Sequence, residues 1–460
     1  FDIYVSTDLT SEIVAMTEEG VAFASQLCSM EAYRREKGFG DGVNVYSQGV
    51  ATRVREALKR ETSLKGEGND IEAFKRAYDS LMVASGAEFR FGVKVVTECE
   101  VTDILRTDDG FKVNMSDGTE CRAAKVIIAT GSDVLNLPSL PVDGKYIMSS
   151  NEALELDHVP ARLVIVGGGV VGTELAFIFR AFGSEVTIVE GQNRLLPVPS
   201  VDEEMSKLLL REAKKKGIKV ELCRTVNSTR VEDGTVYADL GPSPFLAPEL
   251  VPASAKKPAT LEADCIFMTI GRVAVTNGLG LAEAGIETDK RGYIVVNDYL
   301  ETSVPGVYAI GDILGPARIM LAHMAEFEGH AAVANIFGEQ VKPNYDVVPS
   351  GIFSSPEIGD VGLTEAQAKA KGIETAVAEF QFRELGKAQA MGELPGVFKL
   401  VADKATGKLL GAHFDGAHAN AFTRLALALQ KGCTAADIAG TIHAHPTLAE
   451  GVMEAAAQIA

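Results

Sequence analysis

A closely spaced cysteine pair is missing from this 460-residue chain: Cys28, Cys99, Cys121, Cys223, Cys265 and Cys433 lie far apart, with no CxxC or CxxxxC among them. Such spacing argues for a reducing compartment and against a disulfide framework, and no metal site is expected. Positive charge is also scarce. With 44 Lys and Arg against 63 Asp and Glu, the formal net charge is -19, so the surface repels phosphate backbones and anionic headgroups, and nucleic acid is excluded as a partner. Long apolar runs are lacking too. The most apolar stretch, LVIVGGGVVGTELAFIF, carries Glu174 and a glycine cluster and falls short of the roughly 20 residues that a spanning helix needs, so no membrane insertion is expected. No solenoid-type repeat is present. The chain opens on Phe1 rather than Met, which reads as a processed or truncated start whose targeting segment has gone. An organelle matrix or stroma (plastid or mitochondrion) and a bacterial cytoplasm both remain open.

What is there is an ordinary α/β composition, 46% hydrophobic and 23% charged with 45 glycines, and length enough for about three domains. Helical periodicities run over Glu12 to Tyr33 and Gln48 to Arg60, followed by the polar loop SLKGEGND. From Ala87, alternating apolar and polar residues between DDG and SDG turns predict an antiparallel meander that returns to a buried strand, KVIIATG. From Arg162, LVIVGGGVVGTELAFIFRAFG and SEVTIVE predict a βαβ unit. A second meander follows, interrupted by GPSPFLAPELVPASAKKP and closing on FMTIGR. The two meanders look like two copies of one design, which predicts two nucleotide-binding domains, the second inserted in the first. After Asp312 comes a helical run, and near Pro343 a link to a third, mixed unit.

Gly167, Gly169 and Gly172 form the strongest chemical signal. The first permits the tight turn, the second lets backbone approach a pyrophosphate, and the third lets helix pack on strand. The diphosphate would sit at a helix amino terminus carrying about half a positive charge. Glu190, ending the next strand about 20 residues on, can accept hydrogen bonds from an adenosine ribose and would repel a 2′-phosphate, which favours NAD over NADP. In TSVPGVYAIGDI, Asp312 at a strand's carboxyl end could hold a cofactor hydroxyl chain, or could be an ordinary strand-end turn. In HAHPTLAE, His445 and Glu450 could form an imidazole–carboxylate pair for general base work, while Thr447 and Glu450 also fit a helix capping box.

Together, IIATGS, VGGGVVGTELAFIFRAFGSEVTIVE, MTIGR, VPGVYAIGD, MLAHMAEFEG and HAHPTLAE, in this order, resemble the dihydrolipoamide dehydrogenases of the pyridine nucleotide disulfide oxidoreductase family. The resemblance runs from Lys125 to the end. The stretch TNGLGL and the insertion from Pro242 to Pro258 look more like the plastid or cyanobacterial type. The resemblance implies two Rossmann-like dinucleotide-binding domains, an FAD-type domain (1–150 and 291–344) split around an NAD-type domain (151–290), then an α+β dimerisation domain (345–460). It implies a homodimer, FAD with NAD reached through the flavin, and, in an active enzyme, a lipoyl carrier domain as partner. Carried over, Asp312 would bind the FAD ribityl chain, with Gly131 and Ala322 lining the flavin site. Gly167, Gly169, Gly172, Glu190 and Gly271 would bind NAD, with Glu174 beside the nicotinamide. His445 would deprotonate dihydrolipoamide, oriented by Glu450.

The first 84 residues depart from the family, which has there a GxGxxG for the FAD diphosphate and a CxxxxC disulfide. Ser6, Asp8 and Ser11 stand where the second domain has its three glycines, and Gly42 and Ser47 fall at the cysteine positions. A carboxylate and side chains there would oppose a diphosphate, and no other side chain replaces a redox disulfide. Two readings compete. In one, favoured because 130 residues before IATGS is close to what a whole family member needs, this is a degenerate relative whose dihydrolipoamide reaction is lost. It would be kept for its dimeric shape or NAD site, as a subunit of a multienzyme or structural complex. In the other, Phe1 follows a missing segment that carries the disulfide. A disulfide-independent NADH diaphorase is a third possibility.

Overall fold

A computed structural model describes residues 101–107, 110–116, 118 and 120–460. The helical periodicities at Glu12 to Tyr33 and Gln48 to Arg60, and the positions of Ser6, Asp8, Ser11, Gly42 and Ser47, lie outside the described residues. The chain divides into two compact units, one taking residues up to Asp133 with Val273–Pro343, the other Val134–Arg272 with Asn344–Ala460.

In the first unit the expected meander forms from Val101–Thr107, Gly110–Met115 and Glu120–Ala123, all antiparallel. Successive side chains of a strand point to opposite faces, so Phe111, Val113 and Met115 turn inward together and pack with Ile104, Leu300 and Val307. The described core of the KVIIATG strand, Val126–Ile128, pairs in parallel with Val307–Ala309. The helix Ala322–Ile336 covers them with a narrow buried stripe of Met324, Glu328, Ala331 and Ala332.

The second unit opens on the expected βαβ motif: β1 (Arg162–Val166), α1 (Val170–Ala181) and β2 (Glu185–Glu190). It continues with α2 (Glu203–Lys215), β3 (Lys219–Leu222) and β4 (Cys265–Met268). The parallel sheet has the order Ile147–Met148, β4, β1, β2, β3. Both faces of such a sheet are covered, which is why β1, β2 and β4 read as nearly unbroken apolar runs instead of alternating. The second meander, Arg224–Glu232, Thr235–Pro242 and Ala259–Ala263, is again antiparallel, and the Pro-rich insertion connects its last two strands. The carboxyl-terminal part is an antiparallel sheet of β5 (Ser350–Ile352), β6 (Glu357–Gly362), β7 (Thr375–Gln381), β8 (Val397–Asp403) and β9 (Leu409–Gly416) in the order β5-β6-β9-β8-β7. Helix α3 (Glu450–Ala457) lies against it, with Gly451 giving way to the Phe398 ring, which stacks on Phe382 at 4.3 Å between centroids.

A buried polar cluster joins α2 to this sheet. Asp202 caps α2 by accepting the Glu204 N–H at 3.0 Å, and the same oxygen accepts Lys399 Nζ of β8 at 2.9 Å. Burial opposes ionisation of Asp202, but the bonds from Lys399 and Glu204 outweigh it and hold the carboxyl below its usual range. On β9, His413 Nε2 meets the Leu363 carbonyl at 3.1 Å and Nδ1 meets Asp360 Oδ1 at 2.7 Å. Asp415 of β9 has no such support: it is 1% exposed, and neither carboxyl oxygen has a hydrogen-bond partner among the described residues. Burial, reinforced by the Glu212 carboxylate, pushes its carboxyl up to about 8.

Because the folded-state value of Asp415 lies above the unfolded value of about 3.9, the folded state holds an extra proton between them, and stability falls as pH rises from 4 towards 8. Asp415→Asn removes that penalty, so the variant should match the parent near pH 4 and unfold at progressively higher temperature than the parent up to pH 8. The gain is at most about 1.4 kcal/mol per pH unit. Calorimetric melting of both proteins across that range checks it; a constant gap would contradict the assignment.

Candidate functional site

Strand β1 leads into Gly167, whose φ of +106° is one that side-chain-bearing residues rarely adopt, and a Cβ there would lie 2.5 Å from the Thr269 carbonyl oxygen. Gly172, in the first turn of α1, is closed by its neighbours: a Cβ would overlap the Gly167 carbonyl oxygen and Thr269 Oγ1. Gly169 is the opposite case. It is the N-cap of α1, no side chain caps the helix there, and a Cβ would meet nothing within 4 Å. The three glycines therefore do two jobs. Two let helix and strand close up, and one leaves space in front of unsatisfied helix N–H groups, where an anion is favoured.

Glu190, at the end of β2, reaches back to this turn. Its Oε2 accepts the Gly168 N–H at 2.6 Å and its Oε1 the Gln192 N–H at 2.6 Å. The side chain is 7% exposed and is fixed in place before any ligand arrives. Glu174 on α1 accepts the Phe353 N–H at 2.9 Å, and burial pushes its carboxyl up. Gly271, with φ +137°, lies in the short connection between β4 and the strand Arg272–Ala274, with open space where a Cβ would be. All six residues expected at the NAD site thus lie in the second unit, five of them around the carboxyl ends of β1, β2 and β4.

The residues expected at the flavin lie in the first unit. The parallel strands Val126–Ile128 and Val307–Ala309 end side by side and run into Gly131 (φ +68°) and Gly311 (φ +75°), the end of an α/β sheet where ligands bind. Asp312 Oδ2 accepts Ser132 Oγ at 2.6 Å, and Glu328 Oε2 accepts the Gly311 N–H at 2.6 Å. Ala322 is the first residue of the covering helix. Ser132, Glu328 and Thr269 were not singled out from the sequence. Each lies inside a quoted motif, Ser132 in IIATGS, Thr269 in MTIGR and Glu328 in MLAHMAEFEG, but nothing local marks its partner.

His445 and Glu450 are brought together. His445 Nδ1 lies 2.7 Å from Glu450 Oε1, and Glu450 Oε2 accepts the Thr447 N–H at 2.8 Å. The backbone bond first, then His445, holds the Glu450 carboxyl below the usual carboxylate range. Only half of the capping box forms, since Thr447 Oγ1 donates to the Ala444 carbonyl and α3 begins at Glu450 itself. Cys223 and Cys265 are buried free thiols, and burial pushes Cys265 up to about 12, far from a reactive thiolate. Among the described residues no group of three or more His, Cys, Asp or Glu could hold a metal, and no helix is long and apolar enough to cross a membrane.

The family model described as pyridine nucleotide-disulphide oxidoreductase matches residues 14–329, and the model of that family's dimerisation domain matches residues 348–456. The chain belongs to the pyridine nucleotide-disulphide oxidoreductase family. The match reaches back to residue 14, well before the Lys125 at which the resemblance began in the sequence. Among relatives, a dihydrolipoyl dehydrogenase of Chlorobaculum parvum is 39% identical over 390 residues, covering 84% of this chain and 80% of that protein. A mitochondrial dihydrolipoyl dehydrogenase of Pisum sativum is 38% identical over 342 residues, covering 74% of this chain and 65% of that protein. The crystal structure of LpdA from Mycobacterium tuberculosis superposes with a TM-score of 0.75, covering 100% of this chain and 94% of that one; at 23% identity the likeness is one of fold. This is accordingly a dihydrolipoamide dehydrogenase-like chain with Rossmann-like FAD and NAD domains and a carboxyl-terminal dimerisation domain, in a family whose cofactors are FAD and NAD(P).

The two kinds of glycine should separate in a melting experiment. Gly172→Ala forces α1 away from β1 and should cost at least about 1–3 kcal/mol of stability. Gly169→Ala, facing open space in an extended conformation, should melt within about 0.5 kcal/mol of the parent. Equal destabilisation of the two would contradict the division of roles.

Proposed function

We propose that this chain binds NAD(H) at the α1 turn and Glu190, and that its 460 residues keep the nucleotide half of dihydrolipoamide dehydrogenase chemistry without the dithiol half. The observation that carries the reading is the open space at Gly169 beside a pre-fixed Glu190 carboxylate. Gly167 and Gly172 shape the turn, Gly169 admits the diphosphate, Glu190 accepts from the adenosine ribose, Gly271 lines the same strand ends, and Glu174 lies beside the nicotinamide. In the first unit Asp312, held by Ser132, would accept from the ribityl hydroxyls, with Gly131 and Ala322 against the flavin. The chain functions as a homodimer through its carboxyl-terminal domain.

FAD, when bound, relays two electrons between a nicotinamide and a thiol. The thiol end needs a protein disulfide that the substrate's thiolate can attack, and the six cysteines of the sequence include no suitably spaced pair. A fully competent dihydrolipoamide dehydrogenase is the second reading, and the intact His445–Glu450 pair favours it. Glu450 fixes the ring through Nδ1, which leaves Nε2 as the atom that would take a thiol proton.

Calorimetric titration with NADH tests the first reading. Glu190→Ala removes charge-assisted bonds worth about 1.5–3 kcal/mol, so affinity should fall roughly 10- to 100-fold, and Gly169→Val should fall at least as far. Unchanged affinity in both variants would contradict the NAD assignment. In the same preparation, dihydrolipoamide-dependent reduction of NAD should be absent. Turnover there would overturn the loss of the dithiol step.

A further inference from the structure

We propose that Phe245, carried by the Pro-rich insertion, stacks on the adenine ring of NAD(H) and supplies the adenine wall of the site. The proposal rests on the NAD reading above and adds to it a residue from outside the glycine turn.

A carboxylate that binds the adenosine ribose fixes where the base can go, because adenine hangs from the same sugar by one glycosidic bond. It must lie just beyond Glu190, over the turn that starts at Gly191. Phe245 already occupies one side of that place: a Cβ on Gly191 would lie 2.8 Å from Phe245 Cδ2 and 3.2 Å from Cε2. Gly191 thus needs to be small so that the ring can approach the chain directly after Glu190. The ring nevertheless remains 68% exposed.

The platform under the ring is rigid. The Phe245 N–H donates to Ser243 Oγ at 3.1 Å, the Ser243 N–H to the Cys223 carbonyl at 2.9 Å, and the Cys223 N–H to the Gln192 carbonyl at 2.9 Å. Three hydrogen bonds therefore connect Phe245 to the residue two beyond Glu190. Further along the insertion, the buried Arg224 donates to the carbonyls of Ser254 at 2.6 Å and Lys257 at 2.9 Å. Val251 and Ala255 pack on Cys223. Pro242, Pro244, Pro248, Pro252 and Pro258 restrict the chain between. An aromatic ring held mostly in water on a fixed base loses little freedom when it stacks, and its π-face accepts any flat base.

The test compares the parent with Phe245→Ala and Phe245→Tyr, titrated with NADH and with reduced nicotinamide mononucleotide, which lacks the adenosine. Phe245→Ala should weaken NADH about tenfold, the low end of base–aromatic stacking, while Phe245→Tyr keeps parental affinity and the mononucleotide binds all three alike. Parental NADH affinity in Phe245→Ala, alongside loss in Gly169→Val, would sink the stacking and leave the NAD site standing. Equal weakening of NADH and the mononucleotide would also sink it, since Phe245 would then act on the turn as a whole. Retained NADH binding in both Phe245→Ala and Gly169→Val would remove the NAD reading and this inference with it.

Discussion

One carboxylate organises the glycine turn and the loops around it. Glu190 lies at the end of β2, yet its two oxygens take N–H groups from Gly168 in the preceding turn and Gln192 in the following one. A buried carboxylate is tolerated only when such donors replace its water, and here the donors belong to the very loops that must be held open for a ligand. With the turn tied down, Gly169 can face empty space without the helix start collapsing into it. The Gln192 end is tied in turn to Cys223, and through Cys223 to the insertion that carries Phe245. Loss of the Glu190 bonds would loosen both sides of the site at once.

Much of this was legible in the sequence, for reasons that are local. The VGGGVVG spacing encodes a turn whose sterics are decided within six residues, and the distance to Glu190 follows from one helix and one strand. Asp312 and the His445–Glu450 pair were visible for the same reason. What was not legible joins distant segments: Ser132 with Asp312, Thr269 with the Gly167 turn, and Lys399 with Asp202, a pair almost 200 residues apart. No periodicity or spacing marks such contacts. Composition identified the Pro-rich insertion as a loop, but where a loop packs depends on partners elsewhere, here Cys223, Arg224 and Gly191. The capping box in HAHPTLAE was half right, because Glu450 serves His445 and Thr447 together while the helix starts one turn late.

The chemistry divides along the same line. Nucleotide binding as proposed above depends on backbone geometry and one carboxylate, and both are present in the Gly167–Gly172 turn and Glu190. Dithiol oxidation depends on a specific sulfur pair, for which geometry cannot compensate, and the buried, hard-to-ionise Cys265 is no substitute. A family member can therefore keep the first without the second, and an intact His445–Glu450 pair does not by itself restore it.

The most direct measurement is the affinity of the unmodified protein for NADH and NADPH, titrated side by side at one ionic strength. A pre-fixed Glu190 carboxylate can accept from a ribose 2′-hydroxyl but faces a 2′-phosphate with like charge. NADH should therefore bind at least about tenfold more tightly, a difference of about 1.4 kcal/mol. Equal affinity, or a preference for NADPH, would contradict the role given to Glu190 and the account built on it.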